Sequence, residues 1–439
     1  MPAPDSASPR PERPPLARLV GKTLRYGLAS IGPVGSAGAQ FVVSVQLLHM
    51  LDPGAFGAFS FLLVASQFSL GLWSALFCAP MPILLSGEEV RDGPMRRCLM
   101  STNLALAFVA LAVFAGLGAI LHADLAASLL FAAYAMAMLL RWFARAYAYA
   151  TGRPWRTMTS DIIYTVVLLT GVGLVAVTHA ASAAPAYASL VAGAALSLAP
   201  FGLGYLKQQF GEFSLKAVAD YTRVWREHSG WSLTGVLTTE ATANAHAYIV
   251  TLISGATAFA PLAASALLMR PISVVTNALT EFERPQMARQ LARDDGREAL
   301  ATMRFFRIML IAAWAATVLA ALALMHYGPT LLFPKHYDRN YLMIGTLLWL
   351  AIAGVRTART AESVLLQAAG QFKPLAHASM ISCGVSLVGV LALLILGGPL
   401  YSLGGVLLGE AVFALWIWRE TARWRNGAGR AVALAELQP

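Results

Sequence analysis

The sequence predicts an all-α integral membrane protein with about twelve transmembrane helices in two six-helix bundles. Three observations predict it. Charged residues are only 12% of the 439 positions and hydrophobic ones 58%, with a mean hydropathy of +0.63. Soluble domains carry about 25% charged residues, so water is the wrong solvent for this chain. Long apolar segments recur, each near the roughly 20 residues a helix needs to cross a hydrocarbon core; the alternating ten-residue pattern of a barrel does not appear. Finally, the net charge of +10 is clustered in alternate loops, the positive-inside pattern and not a nucleic-acid-binding face.

Residues 1–20 are rich in proline and polar side chains and are expected to form a disordered cytoplasmic tail. The first bundle occupies 21–206, with spans near 27–48, 56–76, 98–121, 125–146, 162–177 and 186–206. Gly27, Gly32, Pro33, Gly35 and Gly38 loosen the first span and permit close helix approach. Asp52-Pro53-Gly54 marks a tight turn. The basic loops carry Arg91, Arg96 and Arg97, then Arg141, Arg145, Arg153 and Arg156. Residues 207–228, KQQFGEFSLKAVADYTRVWREH, form a cytoplasmic bridge. Its spacing of Phe213, Leu215, Val218, Tyr221, Val224 and Trp225 predicts an amphipathic helix lying on the membrane surface.

The second bundle occupies 229–419, with spans near 232–252, 258–279, 305–325, 341–366, 375–396 and 400–418, followed by a cytoplasmic tail, 420–439. Only Lys335 and Arg339 fall on the outer side, so both termini are placed in the cytoplasm. LDPGAFGAF after span one resembles ISGATAFAP (253–261) after span seven, a faint repeat that suits two similar halves around a midplane site. Cys78, Cys98 and Cys383 show no ligand spacing, which argues against disulfides and zinc. No Walker loop is present, and no cofactor is implied.

Charge inside a membrane costs about 2.5–3.5 kcal/mol per residue on insertion scales, so it calls for a reason. Glu240 on span seven and Arg270 on span eight fall at similar depth and are expected to pair. Glu240 and Asn244 share one stripe, Arg270 and Asn277 another. These are a polar cavity wall or a structural ion pair. Arg356, Thr360, Ser363 and Gln367 share a stripe in the inner part of span ten, where Arg356 meets phosphate or snorkels to the surface. Glu410 is a proton site or a packing partner, and Gln40 and Gln46 are cavity residues or interhelical hydrogen-bonders.

The segment LLHMLDPGAFGAFSFLLVASQF (47–68), an aliphatic span ending in Leu-x-Pro-x-x-Phe-Gly, resembles the first hairpin of the Wzx-type polysaccharide flippases. These belong to the multidrug/oligosaccharidyl-lipid/polysaccharide exporter superfamily. QAAGQFKP (367–374) and YSLGGVLLGE (401–410) agree, and the pattern covers about 20–420. The resemblance implies two bundles forming a V around a central cavity, working by alternating access. It implies a cargo of oligosaccharide on undecaprenyl pyrophosphate, moved from the cytoplasmic to the periplasmic leaflet of a bacterial inner membrane for O-antigen or exopolysaccharide synthesis. A glycan polymerase and a chain-length regulator would be partners. Lipid II flippases of the superfamily have a cationic first-half cavity. Here the first half is expected to be poor in midplane charge, with only Arg25 at the entrance to span one. Arg25 and Arg356 would then grip the pyrophosphate from opposite halves. The competing functions are a cation-coupled multidrug exporter and a membrane-embedded glycan-polymerising enzyme; the latter would need a large outer loop, and every outer loop is short.

Overall fold

The structure, a computed structural model, describes residues 15–85, 93–121, 124–178, 184–291, 293, 296–328 and 337–435, without the side chains of 15–31, 82, 83, 228, 231, 232, 234, 281, 372 and 427–435. Among the described residues there is helix and no strand. The first half holds α1 (Pro15–Met50), α2 (Pro53–Trp73), the short α3 (Met81–Leu84), α4 (Pro94–Ile120), α5 (Leu125–Ala150), α6 (Pro154–Thr178) and α7 (Ala184–Leu196). The bridge is two helices, α8 (Leu203–Gly211) and α9 (Leu215–Val224). The second half holds α10 (Gly230–Ser254), α11 (Ala256–Ala266), α12 (Arg270–Leu291), α13 (Gly296–Tyr327), α14 (Arg339–Ala368), α15 (Phe372–Gly397) and α16 (Ser402–Ala435).

Local chemistry sets the boundaries. Asp52 caps α2, its Oδ1 accepting from the backbone N–H of Gly54 at 2.8 Å and of Ala55 at 3.0 Å, with Pro53 as the first helical residue. Asp338 caps α14 in the same way. Gly255, at φ +85°, takes the left-handed turn that separates α10 from α11. The eighth span narrows to a 3₁₀ turn at Leu267–Met269 before restarting at Arg270. Pro271 lacks the N–H that would bond the Leu267 carbonyl, so the α-ladder cannot run through.

Among the described residues ten helices are long and apolar enough to cross a membrane. α10 is not one of them, because Glu240, Asn244 and His246 dilute it. Such a helix suits the wall of a polar cavity better than a face toward lipid.

The two halves repeat one packing pattern. In each, the first spanning helix packs on the fifth, the third on the fourth, and both the fourth and the fifth on the sixth. These pairs are α1–α6, α4–α5, α5–α7 and α6–α7, against α10–α15, α13–α14, α14–α16 and α15–α16. Across the seam α2 meets α10 and α11, and α1 meets α12. Two turns meet at one end of this seam, called here the hairpin end. A Cβ on Gly57 would overlap the Ala256 carbonyl oxygen, and one on Gly54 would lie 3.2 Å from the Thr257 hydroxyl. The two segments whose likeness is faint in the sequence therefore touch. Gly57→Ala is expected to cost about 1–3 kcal/mol through overpacking. Gly38→Ala, with open space around it, serves as the control. Thermal midpoints of the two purified variants check this, and equal midpoints would remove the hairpin contact from the stability of the fold.

The other end carries the bridge. The last turn of α2 (Ser74–Cys78) and the turn that opens α10 (Trp225–Ser229) are both π-helical, and they pack on each other. Tyr221 and Ser229 both donate to the Leu76 carbonyl, at 2.6 and 2.8 Å. Burial pushes the Tyr221 phenol up to about 12, so it stays a donor.

Several boundaries differ from expectation. α1 begins at Pro15, inside the stretch expected to be disordered, while residues 1–14 lie outside the described residues. α16 continues to Ala435, through most of the expected tail. The sixth span stops at Leu196 and the chain turns at Gly202, at φ +93°. The apolar row of the bridge is split: Tyr221 and Val224 are buried against the first half, while Phe213, Leu215 and Trp225 are exposed.

Candidate functional site

Three adjoining chambers lie along the seam. A central one of about 380 Å³ runs from Phe56 and Phe259, beside the hairpin contact, to Arg356. A first-half chamber of about 430 Å³ shares Gln40, Gln67 and Asn277 with it. A second-half chamber of about 430 Å³ shares Gln67, Asn244, Asn277 and Arg356.

The central chamber mixes amides, aromatic rings and two guanidiniums, those of Arg270 and Arg356. Gln40 donates from Nε2 to the Tyr134 hydroxyl at 2.8 Å, which aims its amide along the wall. Arg270, at the restart of the eighth span, donates from Nη1 to Ser44 Oγ at 3.0 Å. Ser44 is its only hydrogen-bond partner among the described residues, and Ser44 in turn donates to the Gln40 carbonyl. His246 packs edge-on against Trp349, centroids 4.8 Å apart, and near Phe259. Trp349 is pinned by its Nε1, which donates to the Leu262 carbonyl at 3.1 Å.

The first-half chamber holds a cluster that sequence reasoning missed. Arg141 and Arg145, one turn apart on α5, both donate to Asp161 Oδ1 on α6. Arg141 also donates from Nε to Ser160 Oγ at 3.0 Å and stacks over Tyr164 at 4.6 Å. Arg141 and Asp161 are only 3% and 2% exposed. Gly32 of α1 lies against the cluster, where a Cβ would come within 2.7 Å of Asp161 Oδ2. The two arginines were placed in a loop; that expectation is corrected, since both stand on α5. The helix runs on to Ala150 because FAAYAMAMLLRWFARAYAYA is strongly helix-forming throughout. The i, i+4 spacing of the two arginines inside an apolar run was the available signal.

The second-half chamber holds a matching cluster. Arg356 donates to Glu410 Oε1 from Nε and Nη2, at 3.0 and 2.8 Å. Arg359 donates to Oε2 from the same pair of nitrogens, at 2.9 and 2.7 Å. Arg359 also lies over the Phe413 ring at 4.1 Å. Each half thus carries an arginine pair on its fourth spanning helix, α5 and α14, closed by a single buried carboxylate. Glu240 stands apart. Its Oε2 accepts from Asn244 Nδ2 at 2.8 Å, one turn along α10.

The remaining expected residues sort as follows. Glu240 and Arg270 line adjoining chambers, but the expected pair does not form: one is bonded to Asn244, the other to Ser44. The break in the eighth span carries Arg270 toward α1 and away from α10. Asn277 lines all three chambers. Thr360 bonds its own helix at the Arg356 carbonyl, and Thr360, Ser363 and Gln367 line none of the three. Gln46 donates to the Val172 carbonyl of α6 at 3.2 Å, an interhelical tie outside the chambers. The side chain of Arg25 lies outside the described residues, so the Arg25–Arg356 grip is not addressed by the geometry. Arg356 does reach the cavity, with Glu410 as its partner. Among the described residues no group of acids, histidines and cysteines could hold a metal ion.

Neither a family model nor a curated protein matches the sequence. Solved structures do. The chain is similar to an inward-facing multidrug resistance MATE family transporter of the MOP superfamily, with a TM-score of 0.63 at 12% identity over 90% of this chain and 96% of that one. The fold is that of the MATE transporters. A eukaryotic MATE transporter, AtDTX14, aligns at 0.62 and 13% identity over 94% and 98%. A MOP superfamily transporter from Pyrococcus furiosus aligns at 0.59 and 14% over 92% and 96%; the reverse polarity of that protein's binding pocket suggests a different function for it. The MATE-like fold is a two-lobe bundle of about twelve helices, so the expected architecture holds.

Proposed function

We propose that the chain is an alternating-access membrane transporter whose cargo is an anionic, sugar-bearing lipid: an oligosaccharide on undecaprenyl pyrophosphate, flipped from the cytoplasmic to the periplasmic leaflet of a bacterial inner membrane. One observation carries this reading. The central and first-half chambers are lined by five arginines, Arg141, Arg145, Arg270, Arg284 and Arg356, the last paired with Glu410, and by one carboxylate, Asp161. Excess positive charge buried in a membrane is costly, and it repels the cationic drugs a multidrug exporter would take. A diphosphate repays it, since guanidinium forks match phosphate oxygens. Gln40, Gln67, Asn277 and the rings around His246 and Trp349 offer the amide and aromatic contacts that sugars use. The pocket of reverse polarity named for the Pyrococcus protein fits a superfamily in which cavity charge varies with cargo.

A cation-coupled exporter is the second reading, favoured by Glu240, a cavity carboxylate with no guanidinium in ion-pair contact among the described residues. Binding to purified protein in nanodiscs separates the two. Undecaprenyl pyrophosphate is expected to bind and a lipophilic cation not to bind; the opposite result would reverse the assignment. The one-sided basic loops favour a cytoplasmic bridge and cytoplasmic termini. A cysteine at Ala219 should therefore resist impermeant labelling of intact cells, while one at Asp52 reacts. Reversed labelling would invert the direction of transport.

A further inference from the structure

The second-half chamber differs from the other two in charge. Arg356 and Arg359 are matched there by Glu410 and Glu240, two cations against two acids. An anionic head group gains little from such a wall. The other polar groups of the lining are hydroxyls and amides, among them Thr239, Thr242, Thr276 and Asn277, set beside the apolar Met269, Ile272 and Phe413. Glu240 is the one carboxylate in it that is not tied to arginine. Asn244 donates to its Oε2 at 2.8 Å, which fixes the side chain and leaves acceptor capacity on both oxygens. Oε1 lies at the seam between the halves, 3.6 Å from where a Cβ on Gly71 of α2 would stand.

We infer that Glu240, held by Asn244, is a specificity-determining acceptor for the hydroxyls of a neutral sugar in the cargo. The inference rests on the flippase reading and adds to it a division of labour: the diphosphate lies toward Arg270 and the first-half arginines, the sugar toward α10. Adjacent sugar hydroxyls suit a carboxylate because each O–H donates to an ionised oxygen, a bond roughly twice as strong as one to a neutral acceptor. The same groups reject a sugar bearing its own carboxylate, because Glu240 would face a like charge.

Two probes test this on purified protein in nanodiscs: undecaprenyl pyrophosphate alone, and the same lipid bearing one neutral hexose. In the wild type the sugar should tighten binding about tenfold. In Glu240→Ala that gain should vanish while the bare lipid binds as in the wild type, which also shows that the variant is folded. Glu240→Gln keeps an acceptor oxygen and should keep part of the gain. A gain unchanged in Glu240→Ala would overturn the inference. So would full loss in Glu240→Gln, which would mark Glu240 as a proton or cation site. Failure of the wild type to bind the bare lipid overturns the flippase reading; the sugar-dependent gain then decides the role of Glu240 by itself, and binding of neither probe overturns both.

Discussion

Replacing Arg270 by alanine is expected to abolish export while the protein still reaches the membrane. Arg270 stands where the eighth span restarts, deep in the central chamber, and its only hydrogen-bond partner among the described residues is Ser44 Oγ. Among the described residues no carboxylate pairs with it as Glu410 pairs with Arg356. Its charge is therefore available to cargo, and the membrane makes that charge worth several kilocalories per mole when a phosphate arrives. The loss should exceed tenfold, and a lipid-linked intermediate should accumulate in the inner leaflet. Arg270→Lys keeps the charge but loses the planar fork, so it should retain part of the activity. The intermediate is measured by extracting lipid-linked glycan from cells carrying each variant. Wild-type levels in Arg270→Ala would reduce this residue to a packing element that ties α12 to α1.

Glu410→Ala is expected to show the largest loss of stability. The carboxylate receives four hydrogen bonds from two arginines and is 1% exposed. Removing it strands both guanidiniums among apolar helices, and breaking a buried pair in this way costs about 3–5 kcal/mol. Arg356→Ala should cost much less, because Arg359 and Glu410 still balance. Thermal midpoints in one detergent compare the two. A midpoint for Glu410→Ala at or above that of Arg356→Ala would mean that water reaches the cluster and that the pair is not structural.

Much of the architecture was legible because membranes impose coarse rules. Apolar length gave the spans, and the alternation of basic loops gave the pairing of their ends. The likeness of LDPGAFGAF to ISGATAFAP pointed to two related halves, and Gly57 against Ala256 gives that likeness a contact. The site was less legible. Glu240 and Arg270 were matched by depth alone, which ignores the rotation of a helix about its axis. The 3₁₀ turn at Leu267–Met269 and Pro271 change that rotation. Arg141 and Arg145 were assigned to a loop because arginine is rare inside spans; their partner, Asp161, lies on the next helix, across a connection no periodicity reveals. Glu410 could be identified as an intramembrane acid, but that it serves two arginines is a fact of the α14–α16 crossing.

The paired π-turns have an arithmetic consequence. A π-turn holds one residue more than the α-turn it replaces, so each behaves as a single-residue insertion absorbed by the helix. Deleting one residue within 74–78 would restore an unbroken α-ladder and leave α2 outwardly intact. If the turn instead tightened to an α-turn with no residue removed, everything past it would swing by about 100°, the angle one residue subtends in an α-helix. The Leu76 carbonyl would then leave the Tyr221 and Ser229 hydroxyls, which donate to it at 2.6 and 2.8 Å. At this junction the number of residues, as much as their identity, sets which face of α2 meets the seam.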